Sequence, residues 1–176
     1  EAAEKRYDKG EHWWELRACD YYDEFENQKI IYPNICKRPE FTFDQNGIYT
    51  NQKCFIIPTN NMYLLGMLNS STTYFLFRSI LPKLRGDFYE PSYVYFKDFP
   101  IRTIDFSNSA DAARHDRMVS LVDQMLSLHK QLHEARTPHE QTGLQRQIEA
   151  IDGQIDALVY ELYGLTEEEI KIVESV

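Results

Sequence analysis

The sequence predicts an α+β fold: a small β-sheet wrapped on a central kinked helix, followed by an antiparallel α-helical hairpin. The first observation is the stretch Thr59–Ile80, TNNMYLLGMLNSSTTYFLFRSI. It is apolar nearly all round, as a buried helix is. Tyr63, Leu64, Met67 and Leu68 share one helical face, and Asn60 or Asn61 can cap its start. Asn69-Ser70-Ser71-Thr72 then interrupts the run with side chains that compete for backbone hydrogen bonds, before a second apolar turn from Tyr74 to Phe77. The second observation is a set of short β-like runs on either side: Lys29–Tyr32, Glu40–Phe43, Lys53–Ile57 and Tyr93–Phe96. The third is a change of period after residue 106, where apolar residues recur at helical spacing.

In chain order, residues 1–12 form a polar lead-in, and Trp13-Trp14 offers a ring to the core. Pro33 ends the strand Lys29–Tyr32, because proline cannot donate to a ladder. Asp44-Gln45-Asn46-Gly47 reads as a hairpin turn, with strands expected over Ile48–Asn51 and Lys53–Ile57. Pro82–Asp87 is a basic loop in which Gly86 permits a sharp turn or close backbone approach. The stretch from Tyr89 to Phe99 is rich in rings, and Phe106–Ala110 is a polar linker. Beyond it, Met118, Leu121, Val122, Met125, Leu128, His129 and Leu132 form one stripe. Thr137-Pro138 breaks the run. Leu144, Ile148, Ile151, Ile155, Leu158 and Leu162 then follow at heptad spacing, the pattern of a packing seam. Gly164 is the expected C-cap, and Thr166 with Glu169 a capping box that opens a last short helix.

Composition narrows the function classes. The 176 residues carry a formal charge of −9, which read whole argues against a nucleic-acid partner. Divided along the chain, residues 1–28 carry −5, residues 29–102 carry +4 and residues 103–176 carry −8. The basic middle also holds 15 of the 24 aromatic residues. Cations interleaved with rings suit nucleic acid, since charge holds phosphates and rings meet bases; rings in a core with scattered charge give the same tally. No apolar run reaches the ~20 residues of a membrane helix. Cys19, Cys36 and Cys54 cannot all pair and lack metal spacing, which favours a reducing, cytoplasmic setting. His129 and His133 stand at i, i+4, but no acid or cysteine at fixed spacing completes a metal site. The sequence contains no Gly-rich phosphate loop, GxSxG, HExxH or CxxC, so no catalytic role is expected of these residues. The chain does not begin with Met and reads as a piece of something longer or a processed product.

Several strings in order carry a resemblance: Trp14-Glu15-Leu16-Arg17, Lys29-Ile30-Ile31-Tyr32-Pro33, Phe41–Asp44 with Gly47 and Tyr49, and Phe55-Ile56-Ile57. Tyr63-Leu64-Leu65-Gly66-Met67-Leu68-Asn69-Ser70 is the most specific, and Tyr93 to Ile101 closes the set. Over about residues 13–102 the chain resembles the TaqI-like C-terminal specificity domain of Type IIG and related restriction–modification methyltransferases. It is also similar to half of a Type I specificity subunit, a target recognition domain followed by a long helix.

The resemblance implies a DNA target recognition domain over residues 1–105 and a helical spacer or dimerisation region over 106–176. It further implies a methyltransferase domain on the same parent chain, which binds S-adenosylmethionine and modifies adenine; the parent of such a domain can also be an endonuclease. The Asn/Asp-Pro-Pro-Tyr signature of adenine methyltransferases occurs nowhere in these residues, and no cofactor is expected within them. The expected partners are double-stranded DNA, the parent's catalytic domain and a second copy through the hairpin, with no membrane. The candidate DNA-binding residues are Lys29, Lys37, Arg38, Asn51, Lys53, Arg78, Lys83, Arg85 and Lys97, with Tyr89 as a stacking or wedge residue. Arg and Lys hold phosphates or pair with guanine, and Asn pairs with adenine. A helical interaction module built on residues 111–163 is the alternative reading.

Overall fold

The computed structural model describes His12 and residues 21–175. The polar lead-in up to residue 11, the Trp13-Trp14 pair, the Trp14–Arg17 string and Cys19 lie outside the described residues. The fold is α+β, as the periodicities predict. Strands β1 (Lys29–Pro33), β2 (Thr42–Asp44) and β3 (Cys54–Ile57) form an antiparallel sheet in the order β2-β1-β3. The register sets Ile30 opposite Phe43 and Ile57, and Tyr32 opposite Phe55.

The central helix is two helices in series, α1 (Met62–Asn69) and α2 (Ser71–Ile80). Asn61 caps α1 by accepting from the Leu64 amide at 2.9 Å. Ser70 makes the kink. Its extended backbone ends α1, and its hydroxyl accepts from the Thr73 amide to start α2. A short hairpin of two-residue strands, β4 (Lys83–Leu84) with β5 (Phe88–Tyr89), follows α2, and then a single helical turn α3 (Tyr93–Phe96). Helices α4 (Ser109–Glu134) and α5 (Pro138–Tyr163) make the antiparallel hairpin, and α6 (Glu167–Glu174) closes the chain. Gly164 takes the left-handed C-cap conformation at φ 64°, and Thr166 and Glu169 form the expected capping box.

Two segments depart from their expected strands. Ile48–Asn51 forms no strand: the Asp44 carboxylate captures the Asn46 and Ile48 amides at 2.9 and 2.8 Å, which curls the chain. Tyr93–Phe96 is helical rather than extended. Its last ring, Phe96, is gripped by Tyr32, Phe41 and Phe99 at centroid distances of 5.5, 5.6 and 5.0 Å.

The change in period falls where the linker was expected, but the core does not divide there. One apolar cluster runs from Ile30 and Tyr32 through Leu65, Met67 and Phe77 to Met118, Val122, Ile155 and Val159. The heptad stripe of α5 therefore packs inside its own chain. Ser71 at the start of α2 binds Asp156 of α5 through its amide at 2.7 Å and its hydroxyl at 2.6 Å. The junction is strapped as well. Tyr163 donates to the Pro100 carbonyl at 2.6 Å, Tyr63 to the Arg102 carbonyl at 2.8 Å, and Arg102 pairs with Asp111 at 2.8 Å.

Candidate nucleic-acid interface

The candidates of the Lys37–Arg38 loop stand 40 to 48 positions before Arg78, Lys83 and Arg85 in sequence, so something must join them. The joint is Cys36. Its amide donates to the Tyr89 carbonyl at 3.1 Å, and the Tyr89 amide returns a bond to the Cys36 carbonyl at 2.7 Å. The loop that follows β1 is thereby paired to hairpin β4–β5. Lys37 then lies over the Phe88 ring, its Nζ 5.1 Å from the centroid. The tip of the hairpin is Arg85-Gly86-Asp87, turned by left-handed backbone at Gly86 (φ 85°) and Asp87 (φ 61°). Lys83 and Asp87 pair across it at 2.8 Å, an exposed contact that orients more than it stabilises. That pairing lowers the Asp87 carboxyl below its usual range, with a smaller contribution from Lys37. Arg78, in the last turn of α2, is near enough to oppose the charge on Lys83.

Lys37, Arg78, Lys83 and Arg85 thus come together as an exposed basic face around one small hairpin, with Arg38 next to Lys37 in the same loop. Arg38 reaches back toward the helical hairpin. Burial and the neighbouring Asp156 raise the Asp152 carboxyl, and the charges of Arg38 and His129 partly offset this. Cys36 is buried, and its thiol is pushed up to about 11 by burial and by Glu40, so at neutral pH it stays a thiol that packs. Asn51 and Lys53 stand on the adjoining turn. Asn51 Oδ1 accepts from the Lys53 amide at 2.9 Å, and the Lys53 carbonyl accepts from the Asn34 amide at 2.9 Å, which ties that turn to the start of the Cys36 loop. Lys97 is exposed at the end of α3.

Two candidates do not belong to this face. Lys29 is fully buried: its ammonium binds Asp44 and the Phe25 carbonyl, each at 2.5 Å. An ammonium so enclosed has nothing left for a phosphate, and its role is to join the segment before β1 to the end of β2, where the two strands meet. Tyr89 is 4 % exposed, with its ring edge-on to Phe77 at 6.5 Å, so it supports the hairpin from below and cannot stack on a base. The exposed rings of the stretch from Tyr89 to Phe99 are instead Tyr93 and Tyr95, with Val94 between them. Ring content pointed to that stretch, but no local signal says which rings face outward.

A family model described as the TaqI-like C-terminal specificity domain matches residues 2–101. The chain belongs to this family. The match covers the three-stranded sheet, the kinked helix, the basic hairpin and α3, and ends where the strapped junction begins. A search of curated proteins finds no match. Membership gives the specificity domain its coarse function, recognition of a DNA target in a restriction–modification setting. No helix among its described residues is long and apolar enough to cross a membrane.

Proposed function

We propose that this specificity domain positions duplex DNA for an adenine-specific methyltransferase domain on the same parent chain, which uses S-adenosylmethionine and acts on a base turned out of the stack. The observation that carries the reading is the gathering of Lys37, Arg78, Lys83 and Arg85 around hairpin β4–β5, to which the Cys36–Tyr89 pairing joins the Lys37–Arg38 loop. Cations from separate segments on a supported loop give the two things a target reader needs. Phosphate contacts fix register, and a planar guanidinium can read guanine. Asn51, Lys53 and Lys97 extend the surface along the sheet end. The acidic helical hairpin is by its charge unsuited to phosphate, and it braces the domain through the shared core and the Ser71–Asp156 bonds.

Arg85, at the tip, is the base reader in this arrangement, because its fork can bond two acceptors in one plane. Lys83 is a phosphate contact once it releases Asp87. The test is binding of the complete protein to a random-sequence duplex pool, and to duplexes enriched from it, over a salt series. Arg85→Ala should weaken binding to the enriched duplex by about 1–3 kcal/mol while leaving pool binding near wild type. Lys83→Ala should weaken both alike and flatten the salt slope by about one unit. Absence of pool binding by the wild type at low salt would refute the proposal. Equal loss on both duplexes for Arg85→Ala would reassign that residue to phosphate.

A further inference from the structure

The single turn α3 exposes three consecutive large side chains: Tyr93 is 72 % exposed, Val94 67 % and Tyr95 42 %. None of their side chains makes a hydrogen bond or ring contact among the described residues. Exposure alone would mean little for a loop, but this turn is anchored. Phe96, at its end, is clasped by Tyr32, Phe41 and Phe99, and Pro91 at its start is buried. The Phe96 and Lys97 amides close the turn onto Ser92 and Tyr93. Three apolar side chains are therefore held outward on a base that belongs to the main core.

Their position is constrained by the chain. Tyr93 is four positions along the chain from Tyr89, so their Cα atoms lie within about 14 Å of each other. Tyr89 is the strand residue paired to Cys36, beside Lys37. The ring-bearing turn is therefore a neighbour of the basic hairpin. Phe96 also shares the Tyr32 ring with Phe55 of β3, two positions after Lys53. The exposed cations of this region (Lys37, Lys53, Arg78, Lys83, Arg85 and Lys97) outnumber the exposed acids Asp87, Glu90 and Asp98 that lie nearest the turn, a balance that suits a polyanion with apolar faces. Duplex DNA has that chemistry: phosphates for the cations, and thymine methyls and base faces for the rings.

We infer that α3, and Tyr93 above all, is the base-contacting apolar element of this domain, packing against thymine methyls or wedging at a base step beside the hairpin. This rests on the DNA-reading proposal, and the experiment keeps the two separable. Tyr93→Ala, Tyr93→Phe and wild type are compared in the complete protein, on the enriched duplex and on the random pool, over a salt series, with thermal unfolding measured in parallel. Tyr93→Ala should weaken binding to the enriched duplex on the order of ten- to a hundredfold, the scale of a lost base–aromatic contact. Pool binding, the salt slope and the unfolding temperature should stay at wild-type values, and Tyr93→Phe should restore affinity because the ring is kept. Unchanged affinity for the enriched duplex, or equal loss on both DNAs, overturns the inference while leaving the basic face as the DNA surface. No DNA binding by wild type overturns both. Sedimentation without DNA completes the test: an oligomer that Tyr93→Ala dissolves would make the turn a contact between copies and likewise overturn the assignment.

Discussion

Lys29 shows how far a side chain's role can lie from its type. A lysine beside a strand reads as a surface cation, yet here it is sealed in with Asp44 and the Phe25 carbonyl. Burial by itself would raise the Asp44 carboxyl. The hydrogen bonds from Lys29 and from the Asn46 and Ile48 amides outweigh this and hold it below the usual carboxylate value. A carboxyl lowered by folding contributes stability that is complete above the unfolded value near 3.9 and fades as the pH falls through the folded one. Lys29→Met removes one partner and leaves a buried carboxylate, a change that costs about 3 kcal/mol. The gap between variant and wild type should narrow between about pH 7 and about pH 3, because protonation spares the variant its unpaired charge while the wild type loses its ion pair. Urea unfolding at the two pH values measures this. A gap that does not change with pH would show that Asp44 is not the titrating partner.

Among the elements, α1 and α4 pack tightly together at Gly66. A Cβ built there would lie 2.5 Å from Met118 Sδ and 2.9 Å from Val122 Cγ2, so the helices approach through the absence of a side chain. Met118 is flexible but fully buried, and Val122 is stiff at χ1, so neither yields freely. Gly66→Ala should destabilise by about 1–3 kcal/mol through overpacking. Gly143, on the exposed side of α5, has nothing within 4 Å of such an atom. There the same substitution should stabilise by about 0.5–1 kcal/mol, the ordinary helix preference for alanine. Opposite signs in thermal unfolding identify the contact. Two shifts of the same sign would mean that helix propensity alone decides both.

Across the chain, the apolar cluster that begins under the sheet ends on α5, and the straps at Pro100, Arg102 and Asp111 leave the junction no freedom to act as a hinge. The specificity domain and its helical hairpin should therefore unfold in one cooperative transition. A chain ending at Asp105 would expose the face of α1 that carries Gly66 and the residues around it that pack on Met118 and Val122. It should lose the cooperative transition and bind a hydrophobic dye. Calorimetry of the two lengths decides: a sharp transition in the shorter chain would mean that the hairpin is an appendage.

Much of this architecture is readable from sequence because it is set by neighbours three or four positions apart. The caps at Asn61, Gly164 and Thr166, the kink at Ser70, the strand Lys29–Pro33 and both long helices are of this kind. So is the family resemblance, which rests on the order of such strings. The candidate site is only half readable. Composition marks a basic, ring-rich middle third, but contacts between distant residues choose which members face outward. Lys29 turned inward because Asp44 stands opposite it across the sheet. Tyr89 was drawn under the hairpin by Cys36 and Phe77, while Tyr93 was left outside by the grip on Phe96. The heptad stripe cannot tell its own chain from a second copy, since the same apolar spacing satisfies either partner; α1 and α4 supplied the partner first. Local periodicity determined which elements form, because backbone hydrogen bonds and side-chain spacing close within a few residues. Only the tertiary structure decided which charges and rings remain at the surface, because desolvation depends on what arrives from elsewhere in the chain.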